Sequence, residues 1–215
     1  MKDNTKIIGA GKKENRNPMD FYPTPKEVTE ALYSFMDRRY MLHPYPVQSV
    51  IWEPAAGEGH ISEVFINHGH KVISTDIRHT GYGRGGVDFL KCDEIPRCDW
   101  IITNPPFNVA EDFINRCISI GVPFALLLKS QYWHAGRRYK LFYKRRPAYV
   151  LPLTWRPDFT GNGASLLDMA WTVWDTADSN TRYIPLERPQ EPAGETIAPR
   201  TIEYIQMSIY DFVGA

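Results

Sequence analysis

Four apolar runs, "SVIWE", "KVISTDI", "DWIIT" and "PFALLLK", alternate with segments whose apolar residues recur at helical spacing. No other feature constrains the fold as strongly. Each run is apolar throughout instead of on alternate residues, as a strand covered on both faces requires. Strand and helix in alternation predict an α/β fold: a mostly parallel sheet with helices on both faces. Two further runs, "AYVLPL" and "DMAWTVWD", add late strands joined by the loop "TWRPDFTGNGASLL".

Ahead of the first strand, "FYPTPKEVTEALYSFMDRR" places Val28, Ala31, Leu32, Phe35 and Met36 at helical spacing. Thr24 is expected to cap this helix, with Pro25 at its first position and Glu27 completing a capping box. Residues 1–17 are polar and carry few core-forming side chains, which predicts a mobile arm. Residues 18–175 are expected to form a single domain, and residues 176–215, rich in Pro, Glu, Thr and Asn, an extended tail partly packed on it.

The 215 residues are 43% hydrophobic and hold 25 basic and 25 acidic side chains, so no net charge draws the protein to nucleic acid or lipid. Any such binding must come from a local patch. Cys92, Cys98 and Cys117 are an odd number without CxxC spacing. That argues against a disulfide framework and a zinc site, and it suits a reducing cytoplasm. No metal is expected: His60, His68 and His70 lack carboxylate or cysteine partners at ligand spacing. No signal peptide and no membrane span are read, and a monomer is expected.

In open α/β sheets ligands sit outside the carboxyl ends of the strands, and the unusual residues fall there. "EPAAGEG" forms the first strand-to-helix turn, where Gly57 and Gly59 let the backbone turn tightly and Glu53 adds a carboxylate. Asp76, nineteen residues after Gly57, ends the next strand and can accept hydrogen bonds from a ribose diol. Acids at both ends oppose a pyrophosphate. S-Adenosyl-L-methionine fits better, being a phosphate-free nucleoside with a cationic sulfur. "TNPPFN", two strands on, stops the chain abruptly, since consecutive prolines cannot continue a strand or a helix.

"FYPTP", "EPAAGEG", Asp76, "DFL" at Asp88–Leu90 and "NPPF" at Asn104–Phe107 occur in one order over about half the chain. In this the sequence resembles the DNA adenine-N6 methyltransferases, in particular compact enzymes of phage and prophage type. Arg156, Pro157 and Phe159 resemble a later motif of that family more loosely. The resemblance implies a Rossmann-like class I methyltransferase fold and S-adenosyl-L-methionine as cofactor. Tyr22, Thr24 and Pro25 would then line its methionine end, Glu53, Pro54, Ala55, Gly57 and Gly59 its middle, Asp76 and Ile77 the ribose, and Asp88 and Phe89 the adenine.

The exocyclic amine of adenine is a poor nucleophile because its lone pair is delocalised into the ring. The Asn104 side-chain oxygen and the Pro105 carbonyl can each accept one amine proton and turn the lone pair outward. Pro105 and Pro106 hold that carbonyl rigidly, and Phe107 supplies a stacking face for a base swung out of the duplex. Phe159 is a candidate second wall.

Lys129, Arg137, Arg138, Lys140, Lys144, Arg145 and Arg146 are candidates for the phosphate backbone, because "RRYKLFYKRR" carries no acid and interleaves aromatics. A solvated basic helix face explains the same segment equally well. There is little room for a separate recognition domain, so a short or relaxed DNA target is expected. It would be read by the late loop, the basic segment and the arm with Lys12, Lys13 and Arg16. RNA bases, protein glutamine amides and cytosine N4 are rival acceptors, and a non-catalytic DNA-binding or anti-restriction protein is a further alternative.

Overall fold

The computed structural model of the chain describes residues 22–44, 47–160, 167–175 and 180–190. Helix α1 (Lys26–Arg38) buries Val28, Ala31, Leu32, Phe35 and Met36 along one stripe, as their spacing dictates. Its start differs from expectation. Pro25 stands at the cap position in extended conformation (φ −57°, ψ 140°), and no side chain caps the helix. The Thr24 hydroxyl instead meets Asn104, 80 residues further along the chain.

Seven strands, β1 (Val50–Glu53), β2 (Lys71–Ser74), β3 (Trp100–Thr103), β4 (Phe124–Lys129), β5 (Tyr149–Pro152), β6 (Met169–Trp174) and β7 (Arg182–Tyr183), form one sheet. Their order is β2-β1-β3-β4-β6-β5-β7. β1 pairs in parallel with β2 and β3, and β3 with β4, while β6 lies antiparallel between β4 and β5. Helices α2 (His60–Asn67), α3 (Ala110–Ile120) and α4 (Tyr139–Lys144) complete the fold.

Side chains alternate across each buried strand, so each strand feeds two cores. On β4, Ala125 and Leu127 join α1 and the Ile61 and Phe65 side chains of α2. Phe124, Leu126 and Leu128 join Phe113, Ile114 and Cys117 of α3 on the other face. The sheet also continues past residue 175, where the tail was expected to begin: β7 pairs with β5, and Leu186 bridges to Leu153. The readings placed on the arm, the loop tip at 161–166 and the rest of the tail lie outside the described residues.

Two consequences of this topology position the site. From β1 the chain passes to β2 on one side and returns to β3 on the other, which opens a crevice at the carboxyl ends of these strands. Because β5 runs parallel to β4, the basic segment between them must cross to the opposite end of the sheet. Trp174 accordingly donates to the Arg145 carbonyl at 3.1 Å, beside the start of β4.

Candidate active site

The crevice holds a cavity walled by Tyr22 to Thr24, the β1 turn with the start of α2, residues after β2, the β3 loop from Asn104 to Phe107, and Val109 and Phe113 beyond it. Gly57 (φ 58°) and Gly59 (φ 88°) adopt left-handed backbone conformations that only glycine takes readily. A side chain on Gly59 would also enter the Tyr82 ring. Tyr82 is tied to α2 by its hydroxyl, which donates to Glu63 at 2.8 Å, and Thr80 donates to the Gly57 carbonyl. The "GYGRGG" loop therefore clamps the glycine turn.

Glu53 ends β1 fully buried. Its carboxyl accepts from the Ser62 N–H at 2.8 Å and from the Ser62 hydroxyl, and burial pushes its pKa from 4.5 up to about 8. Asp76 is also buried, but it is densely bonded: Gly57 N–H donates to Oδ2 at 2.8 Å and Arg78 N–H to Oδ1 at 2.8 Å. The Arg78 guanidinium adds bonds of 3.1 Å to Oδ1 and 3.2 Å to Oδ2. A carboxylate offers about four lone-pair sites, so all of those on Asp76 are filled.

Ile77 stands 60% exposed at the cavity wall, and Phe89 reaches the cavity from the core, edge-on to Trp52 at 5.1 Å. Asp88 also lines the cavity while closing a turn through the Leu90 N–H at 3.0 Å and pairing with Lys91 at 3.1 Å. Pro54 and Ala55 line the cavity, whereas Pro25, Gly57 and Gly59 do not. His60, exposed at the start of α2, lies on the wall as well.

At the β3 loop, Asn104 Nδ2 donates to the buried Thr24 hydroxyl at 3.1 Å. Asn104 Oδ1 is buried and has no hydrogen-bond partner. Pro105, Pro106 and Phe107 line the cavity beside it. Phe107 stacks on Tyr22 with centroids 5.9 Å apart, and Lys129 Nζ stands 4.0 Å from the centre of its ring. A base stacking on that same face requires the lysine to move aside.

Other expected contacts are dispersed. Phe159 is buried in the core and does not line the cavity. Arg138 is held locally, donating to the Tyr132 carbonyl at 2.8 Å and lying 3.7 Å over the Tyr132 ring. Lys140, Arg145 and Arg146 are exposed, but Arg145 and Arg146 precede β5 at the end of the sheet opposite the cavity. The side chains of Arg137 and Lys144 lie outside the described residues. Arg156 pairs with Asp168 at 2.8 Å across the neck of the late loop.

Sequence reasoning missed Arg78, Tyr82 and Ser62. Each lies within a few residues of a recognised motif, yet only the folded contacts reveal its role. Among the described residues no helix is long and apolar enough to cross a membrane, and no cluster of side chains could hold a metal ion.

Among solved structures the chain is similar to a candidate RNA methyltransferase from Pyrococcus horikoshii, with TM-score 0.56 and 16% identity over 72% of this chain and 85% of that one. It is also similar to a candidate class I S-adenosylmethionine-dependent methyltransferase from Listeria monocytogenes, with TM-score 0.54 and 12% identity over 76% of this chain and 65% of that one. A candidate hemolysin from Lactococcus lactis matches at TM-score 0.53 and 10% identity, over 76% of this chain and 94% of that one. No protein-family profile and no curated protein matches the sequence. These likenesses concern architecture, and with the strand order and the crevice they identify the chain as having the Rossmann-like class I methyltransferase fold.

Proposed function

We propose that this chain transfers a methyl group from S-adenosyl-L-methionine to the exocyclic N6 amine of an adenine turned out of DNA, at a short or relaxed target sequence. The observation that carries the reading is Asn104 Oδ1, a buried acceptor without a partner in a cavity wall. Leaving such a group unsatisfied costs about 1–3 kcal/mol. It therefore favours a ligand that brings an N–H donor. The adjacent Pro105 carbonyl is a second acceptor, and neither proline has an N–H to compete for it. Two acceptors side by side suit the two protons of a primary amine and leave its lone pair free to attack.

The cofactor end fits a phosphate-free nucleoside. Ile77, Phe89 and Leu90 offer apolar surface to a planar ring, and Asp76 accepts from a ribose once the Arg78 guanidinium gives up its positions. When bound, the cofactor supplies a methyl group already activated on a positive sulfur. The residues of this chain then have to hold the amine, orient it and exclude water, and no general base is required. Lys129 beside Phe107 brings positive charge to the acceptor end, which suits a phosphate backbone next to a flipped base.

The test is to incubate the purified protein with unmethylated duplex DNA and methyl-labelled cofactor, digest the DNA, and identify labelled nucleosides by mass spectrometry. Labelled N6-methyldeoxyadenosine is expected. Label found only in RNA or protein substrates would replace DNA with that acceptor, and label in no substrate despite cofactor binding would leave a non-catalytic role.

A further inference from the structure

The "YPT" segment ahead of α1 reads from sequence as part of the cofactor seat and as a helix cap. The folded chain uses it otherwise. Thr24 does not cap α1, and its buried hydroxyl accepts from Asn104 Nδ2 at 3.1 Å. Two residues earlier, Tyr22 stacks on Phe107, the last residue of the same loop. The segment therefore contacts both ends of the Asn104–Phe107 loop.

An asparagine amide has two ends of similar shape and opposite hydrogen-bonding character. Turned one way, Asn104 presents an oxygen that accepts from an amine. Turned the other way, it presents an NH2 group that would repel one. Something must choose between the two, and Thr24 is the polar partner that the structure gives to this amide. With the hydroxyl accepting from Nδ2, Oδ1 is left free as an acceptor. A hydroxyl can also donate, so it enforces this orientation while its own proton is directed to another acceptor in the cavity, which Thr24 also lines.

We infer that Thr24 is a positioning residue that sets the orientation of the Asn104 amide and so makes the site selective for N–H acceptor groups. This rests on the proposed role of Asn104 and adds the residue that enforces it. It moves Thr24 from the cofactor side of the cavity to the acceptor side.

The test compares Thr24→Val, which keeps the volume but removes the hydroxyl, with Thr24→Ser, which keeps the hydroxyl. Methyl transfer is followed with labelled cofactor, and cofactor affinity is measured separately by calorimetry. Removing a directly acting polar group from such a site costs about 10²–10³-fold in rate, so loss of a group acting through it is expected to cost about 10–50-fold. The valine variant should lose this factor in kcat with cofactor affinity unchanged, and the serine variant should recover most of the rate. Loss of cofactor affinity in the valine variant with kcat intact would overturn the inference and make Thr24 a cofactor contact, as would a valine variant with no defect.

A second measurement needs no turnover. In isotopically labelled protein, the side-chain amide protons of Asn104, assigned by their disappearance in Asn104→Ala, should exchange slowly in the wild type and in Thr24→Ser and rapidly in Thr24→Val. Equal exchange in all three would refute the bond whatever the enzyme methylates. If exchange behaves as expected and no amine is methylated, the proposed function fails and the bond stands.

Discussion

Asp76 and Asn104 stand at the carboxyl ends of two strands that flank β1, face one cavity and are both kept from solvent in part, yet they are prepared in opposite ways. Asp76 has its lone-pair sites filled by the chain itself, through two backbone N–H groups and the Arg78 guanidinium. Asn104 has one end tied to Thr24 and the other end empty. A saturated acceptor gains a ligand only by giving up a partner; an empty one gains it outright. The difference predicts that loss of the empty acceptor is felt in the rate of reaction, whereas changes around the filled one are felt in affinity and stability.

The largest effect is expected at the empty acceptor. Asn104→Ala should lower methyl transfer by about 10²–10³-fold, in line with removal of a preorganised polar group. Cofactor affinity, read by calorimetry, should remain within about twofold, because a hydrogen bond lost to the cofactor would cost about 0.5–1.5 kcal/mol, or about 2–12-fold. A variant that bound cofactor poorly and turned over normally would abolish the contrast between the two ends.

The next effect concerns Glu53, the third acid-or-amide position of the cavity. Its pKa lies at about 8 against an ordinary 4.5, chiefly through burial, with the Ser62 bonds opposing and the Asp76 charge adding to the rise. Between those values the folded chain holds a proton that the unfolded chain has released. Stability from this group is therefore fully present below the ordinary value and declines as pH rises through the folded one. The thermal midpoint of the wild type should fall by roughly 10 °C relative to Glu53→Gln between about pH 5 and about pH 9. Parallel curves for the two proteins would show that Glu53 is charged in the folded state throughout.

Both contrasted positions were legible in the sequence because a strand end is a fixed place. Once "DWIIT" and "KVISTDI" are read as buried parallel strands, Asn104 and Asp76 must fall at the crevice. What the sequence concealed were the partners. A threonine before proline and a run of helical spacing has the local form of a cap, and only the approach of β3 turns its hydroxyl to Asn104. Arg78 sits in a stretch that reads as loop, where nothing local shows that its side chain folds back two residues. The basic segment reads as one patch, but the antiparallel insertion of β6 carries Arg145 and Arg146 to the far end of the sheet. β7 is two residues long, too short to show any period.

Arg78 provides the smallest and most discriminating effect. Its guanidinium holds two of the positions on Asp76 that a ribose diol would need, so binding there has to displace it. The pair is asymmetric: the Asp76 side chain is 3% exposed and that of Arg78 is 22%. The arginine can thus swing toward solvent while the carboxylate cannot follow. Arg78→Met removes the competitor and keeps the stem that lines the cavity. Partly screened ion pairs contribute about 1 kcal/mol or less, so cofactor affinity should rise by about 2–5-fold while the thermal midpoint drops by a few degrees. The gain should shrink as salt is raised, because added ions weaken the pair that the wild type has to break. A fall in affinity would mean that Arg78 contacts the cofactor directly, and the filled end of the cavity would then be a finished seat, not a latched one.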